Sequence, residues 1–218
     1  MQIKDFRTMD KVKLEKLMRE NRKAWEVYNW LKENSDRFEQ PILGPVCLEI
    51  SVADRESAAF VEMSLSRNEK FAFITQTDGD YDRVQKLAQN MAHGHAVKEA
   101  TFFRHLRTDV LGEEIQGVSA AQLKEYSING TLISRVQASN RIKSWLTVEK
   151  NFHRKPIGSR DTFAKMTQLA SDPNLTTTLG NGKKMHKLAQ VVTPEYVIQI
   201  SYSHYGNKAQ SATSYQTR

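Results

Sequence analysis

The sequence predicts a mixed α/β protein that opens on a long helix, and three observations carry that prediction. Residues 10–33 hold neither Gly nor Pro and are dense in helix formers. Beyond Pro41 and Pro45 the apolar spacing switches to alternation, with Val46, Leu48, Ile50 and Val52 on one side, as in a strand. From there to about residue 103, stretches of period two and period 3.6 take turns. The order strand, helix, strand, helix, strand is that of the α/β class.

In the first element, Leu14, Leu17, Asn21, Ala24, Tyr28 and Leu31 fall at heptad a and d positions, with Ile3 in register. Arg7 and Asp10 interrupt the stripe upstream. A polar Asn at one seam position is compatible with a coiled coil. The same stripe suits an amphipathic helix lying on its own domain, and both readings stay open. Toward its end it turns aromatic, at Trp25, Tyr28, Trp30 and Phe38, as in a helix whose last turns dock on a globular body. Asp54 is placed to cap a helix over about 55–65, with Ala58, Phe60, Val61 and Leu65 inward. Phe71, Phe73 and Thr75 alternate as a second strand. A helix then begins near Tyr81 with Val84, Leu87, Ala88 and Met91 on its apolar face; Asp78, Asp80 and Asp82 suit its positive end. "AVKEATFF" reads as the third strand.

The second half opens on a polar junction flanked by Gly112 and Gly117. "SAAQLKEYS" reads as a helix capped by Ser119, and "SNRIKSWLTVEKNF" as a stronger one with Ile142, Trp145, Leu146 and Val148 inward. "HRKPIG" ends in a junction, "RDTFAKMTQLA" in a third helix, and "SDPNLTTTLGNGKKMHK" is polar and rich in turn residues. The tail alternates through Tyr196, Ile198, Ile200 and Tyr202. "YGNK" then turns the chain into a Ser/Thr-rich strand.

Composition narrows the function. The chain is 39% hydrophobic and has no run of 18 apolar residues, so no membrane span is expected. The first residues are charged and lack an apolar secretion core. Cys47 is the one cysteine, which excludes an internal disulfide, and it reads as a buried small hydrophobe. His93 and His95 lack a nearby Cys or acidic partner for a metal. A calcium loop starting at Asp78 would need Glu twelfth, where Gln89 stands. There is no G-x-S-x-G, and "LGNGKKMHK" lacks the spacing and hydroxyl of a phosphate-binding loop. No catalysis, cofactor or metal is expected.

Charge points elsewhere. Residues 1–140 carry 20 Lys/Arg against 21 Asp/Glu, whereas residues 141–218 carry 12 against 4. That asymmetry favours a polyanionic partner. Lys183, Lys184, His186 and Lys187 follow two glycines and could track a phosphate backbone. Arg154 and Lys155 precede Pro156, and Lys143 and Lys150 lie on the outer face of their helix. Tyr205 and Lys208 bracket the late turn, where a ring could stack on an unpaired base; for Tyr202 sheet packing is the expectation. With no groove-reading helix, recognition through backbone and shape is expected.

Three ordered stretches carry a resemblance. "VYNWLKENSDRFEQPILGPV", "RIKSWLTVEKNFHRKPIG" and "YVIQISYSHYGNKAQSATSYQT" together resemble the hinge of the SMC5 proteins, over about Trp25 to Thr217. The resemblance implies the end of a coiled-coil arm over 1–38, one hinge subdomain over 39–116 and a second, basic one over 117–218. It further implies an internal fragment of an ATPase whose heads lie elsewhere. Heterodimerisation with an SMC6-type hinge would follow, with contact to DNA (single strands or junctions first), nuclear and chromosome-associated, in repair and chromosome maintenance. Gly180 and Gly182 would belong to an interface loop. The competing reading is a self-contained nucleic-acid-binding α/β domain with residues 1–34 packed on its core. An enzyme comes last.

Overall fold

The computed structural model describes residues 2–90, 98–110, 118–178, 184–188, 190–193, 196–199 and 213–216. Its helices are α1 (Gln2–Glu20), α2 (Arg22–Glu33), α3 (Val46–Glu49), α4 (Arg55–Ser64), α5 (Arg67–Lys70), α6 (Asp78–Asn90), α7 (Ala120–Glu125), α8 (Asn140–Val148), α9 (Arg160–Ala164) and α10 (Met166–Ser171). Its strands are β1 (Ser51–Val52), β2 (Phe73–Thr75), β3 (Phe102–Arg104), β4 (Ile128–Thr131), β5 (Val136–Gln137), β6 (Pro156–Gly158), β7 (Thr176–Thr178), β8 (Lys184–His186), β9 (Gln190–Val192), β10 (Tyr196–Gln199) and β11 (Thr213–Gln216). They form two compact units, each drawn from separated stretches of chain. The first comprises residues 1–51, 65–108 and 138–142; the second comprises 52–64, 109–137 and 143–218.

In the first unit the N-terminal helix is two helices. Asn21 leaves helical geometry, with φ −150° and ψ 84°, and its side chain accepts a hydrogen bond from the Ala24 N–H at 3.1 Å. The residue that a coiled-coil seam would tolerate acts instead as an N-cap. Leu17, Ala24, Val27 and Leu31 are buried. Val27 and Leu31 pack with Phe73, Val84 and Phe102, and the Phe73 and Phe102 rings stack at 5.4 Å. Strands β2 and β3 run parallel, with Phe73 opposite Phe102.

The alternation from Val46 to Val52 is not one strand. Residues Val46–Glu49 form a helical turn, and only Ser51–Val52 are extended. Pro45 starts the turn, the Leu48 N–H reaches the Pro45 carbonyl at 2.8 Å, and the Glu49 carboxylate accepts from the Gly44 N–H at 3.0 Å. Gly44 has φ +119°, and a Cβ there would lie 2.8 Å from the Ala72 carbonyl oxygen, so glycine is required on both counts. Cys47 is half-buried rather than buried, and burial pushes its thiol up to about 11.

The second unit is built on a five-stranded sheet in the order β11-β10-β9-β6-β4. Its pairs are antiparallel except β6 with β9, where Ile157 faces Val192 in parallel. Pro-Ile-Gly, read from sequence as a junction, is therefore an interior strand. It is too short for alternation to reveal, and Pro156 heads it, the position in a strand that tolerates a missing N–H. Gly158 is needed because a Cβ there would come within 2.6 Å of Thr162 Oγ1. The expected third helix is broken into α9 and α10 at Lys165, which ends one and caps the other. Ser119 caps α7 in a reciprocal box with Gln122, as expected from its sequence. Ile128, Met166, Leu169, Leu175, Leu188 and Val191 form a core cluster, and Trp145, Leu146 and Phe152 are fully buried. Ile200, Tyr202 and the "YGNK" turn lie outside the described residues.

Candidate nucleic-acid interface

In the second unit, β7 and β8 form an antiparallel ribbon, with Thr176 opposite His186 and Thr178 opposite Lys184. The ribbon returns the chain to the core through Leu188, and the Lys187 N–H bonds the Leu175 carbonyl at 2.7 Å. Lys187 reaches back with its ammonium to the Asn174 carbonyl at 2.9 Å. Arg154, in the turn that follows α8, donates from Nε to the Lys187 carbonyl at 2.9 Å and from Nη2 to the His186 carbonyl at 2.7 Å. Its guanidinium is half-buried, and that burial lowers it from its ordinary value.

His186 was expected to meet phosphate, and the structure corrects that. Only 3% of the residue is exposed, and both ring nitrogens are engaged in the interior. Burial holds the imidazole below its ordinary value, so it stays neutral near pH 7. The histidine anchors the ribbon and offers no surface to a ligand.

The other predicted cations divide by their contacts. Lys155 holds its ammonium 4.9 Å from the Phe152 ring centroid and 3.4 Å from the Ser64 carbonyl. Lys150 lies over Trp145 at 5.3 Å. Such long side chains cover aromatic surface with their stems while the charge stays near water. Lys143 is half-buried on α8, and Lys184 opens β8. Lys183, Tyr205, Lys208, Gly180 and Gly182 lie outside the described residues, as do His93 and His95. The structure thus brings Arg154, His186 and Lys187 together, two of them as braces. Between α8 and that brace sits His153, half-buried, with burial and the neighbouring Arg154 holding it below its ordinary value.

Charge also redistributes on folding. The first unit contains 18 Lys/Arg against 14 Asp/Glu, and the second 14 against 11. The basic C-terminal third shares its unit with Asp54, Glu56, Glu62 and Glu125, so the asymmetry along the chain becomes nearly even between units, +4 and +3.

A feature that the sequence reading missed lies in the first unit. A groove of about 490 Å³ is walled by Leu14, Tyr28, Phe38, Ile42, Leu43 and Leu48. Leu14 and Tyr28 were legible as seam positions; of the opposite wall, Leu48 was hidden by reading Val46–Val52 as a strand, and Ile42 and Leu43 lie in a non-helical segment that carries no period. Among the described residues no group of three or more His, Cys, Asp or Glu could hold a metal, and no helix is long and apolar enough to cross a membrane.

The crystal structure of the S. pombe Smc5/6 hinge domain superposes on 97% of this chain and 74% of that one, with a TM-score of 0.73 at 16% identity. The chain has the SMC hinge fold. An SMC hinge domain from Geobacillus stearothermophilus, crystallised as an asymmetric dimer, matches 96% of the chain with a TM-score of 0.51 at 15% identity. In sequence, 64 residues are 34% identical to Structural maintenance of chromosomes protein 5 of Arabidopsis thaliana. That match spans 29% of this chain and 6% of the relative's length. No protein-family model matches. The hinge fold that the three ordered stretches implied is borne out, and their likeness to SMC5 proteins has a counterpart in the 64-residue sequence match.

Proposed function

We propose that this chain is the hinge of an SMC5-type protein, a module that pairs with an SMC6-type hinge and contacts DNA. The observation that carries the reading is the hinge match over nearly the whole chain, joined to sequence kinship with an SMC5 protein. In this reading α1 leads into a coiled-coil arm, and the groove beside Leu14 and Tyr28 seats the returning helix of that arm. The site is nuclear and chromosome-associated, and its use is in repair and chromosome maintenance.

DNA contact is made through the backbone, without sequence preference, with single strands or junctions as the favoured form. The cations assigned to it are Lys143, Lys150, Lys155, Lys183, Lys184, Lys187 and Lys208, with Tyr205 as a stacking ring. Arg154 supports the ribbon from beneath. Because several lysines would neutralise phosphates together, the salt dependence is strong.

Reversing Lys183, Lys184 and Lys187 to Glu should abolish binding to a single-stranded oligonucleotide and leave assembly with an SMC6-type hinge intact. Neutralising the three to Gln should flatten the slope of log affinity against log salt by about 2, at about 0.7 per phosphate. Fluorescence anisotropy measures the binding, and size-exclusion chromatography the assembly. Joint loss of both would overturn the separation of the two surfaces.

A further inference from the structure

His186 is a ribbon residue whose hydrogen bonding depends on its protonation state near neutral pH. The Nε2 atom lies 3.1 Å from the Leu169 carbonyl oxygen, which can only accept. The Leu188 N–H, which can only donate, points at Nδ1 from 3.1 Å. Both contacts are satisfied by a single species, the neutral ring with its proton on Nε2. The ring is buried, and its carbonyl and that of Lys187 are gripped by the Arg154 fork. The charged groups facing it are Asp172, which favours the imidazolium, and Arg154, which opposes it. Asp172 is itself engaged by the Tyr126 hydroxyl at 2.9 Å.

We infer that His186 and Arg154 form an acid-releasable clasp that positions the basic ribbon β7–β8, holding it only while His186 is neutral. A second proton would sit on Nδ1. It would displace the Leu188 N–H from its acceptor, turn Nδ1 toward the Leu188 carbonyl at 3.2 Å, and leave a buried donor and a buried cation beside Arg154. The ring's folded value lies below the ordinary 6.5, because burial disfavours the charge. Above 6.5 the clasp's contribution is complete. As pH falls from 6.5 through the folded value, the opened ribbon gains the proton and the closed one does not, so closure weakens by at most tenfold per pH unit. The clasp is a property of this chain's own contacts; its use in orienting Lys184 and Lys187 rests on the nucleic-acid reading.

Two measurements without nucleic acid test it. NMR titration of the intact chain should show His186 as the Nε2–H tautomer, titrating below 6.5. Hydrogen-exchange protection at Lys187 and Leu188, whose N–H groups bond the Leu175 carbonyl and the His186 ring, should fall by up to about tenfold between pH 7.5 and 5.5, relative to Phe73 and Ile74 in the first unit. In H186Q, whose amide can still donate toward Leu169 without titrating, that differential fall should disappear. R154K, which loses one arm of the fork, should lower ribbon protection at both pH values while leaving the titration in place. A ring titrating at or above 6.5, or the same fall in H186Q, would overturn the clasp. Oligonucleotide binding at pH 7.5, measured separately, reports on the nucleic-acid reading alone.

Discussion

Asp80 shows how much a single side chain can do in this fold. Its sequence position suggested only a helix-start acid, one of three. In the structure its carboxylate is fully buried and accepts the main-chain N–H groups of Glu39 at 2.9 Å and Gln40 at 3.0 Å, with Arg83 at 3.3 Å. It therefore fixes the turn between α2 and the Pro41–Gly44 segment. Asp80→Ala should cost about 2 kcal/mol, because two main-chain donors lose a charged, buried acceptor. Urea denaturation measures this, and a loss under about 1 kcal/mol would contradict the role. Asp80 and His186 share a reason for being misread. Their partners lie 40 and 17 residues away, or on the main chain, where side-chain pattern carries no signal. Local caps such as Ser119 were legible because the cap and its partner stand three residues apart.

At the scale of elements, the N-terminal stripe was read as an inward face, and Leu17, Ala24 and Leu31 are buried on it, but the fully buried Val27 lies off the register. The register marks the rough direction of the face, and it is blind to a break at a residue that can both sit in a seam and cap a helix. Leu17 is 2% exposed although it precedes that break, so α1 contributes to the first unit's core. Leu17→Ala should cost about 3 kcal/mol. Removing residues 1–22 takes away Leu17 together with the Asn21 cap, and should lower the thermal midpoint by several degrees. Calorimetry of the truncated chain checks this; an unchanged midpoint would show that the arm is separable at residue 22. Short strands were the other loss. Three-residue β6 and the helical turn α3 both fall below the length at which a period can be counted. The longer helices α4, α6 and α8 were placed within a few residues.

For the whole molecule, fold class and the likeness to SMC hinges were legible because they depend on the order of elements and of a few motifs. The division into units was not, since residues 52–64 fold with the C-terminal half and 138–142 with the N-terminal half. The same interleaving dilutes the charge asymmetry, so a count along the chain overstated how basic the second unit is. What survives is the hinge fold over 97% of the chain. Pairing is the central claim built on it, and light scattering of the purified chain at moderate salt, alone and mixed with an SMC6-type hinge, tests it most directly. The account predicts a tight one-to-one complex. A chain that stays strictly monomeric and indifferent to that partner would contradict it.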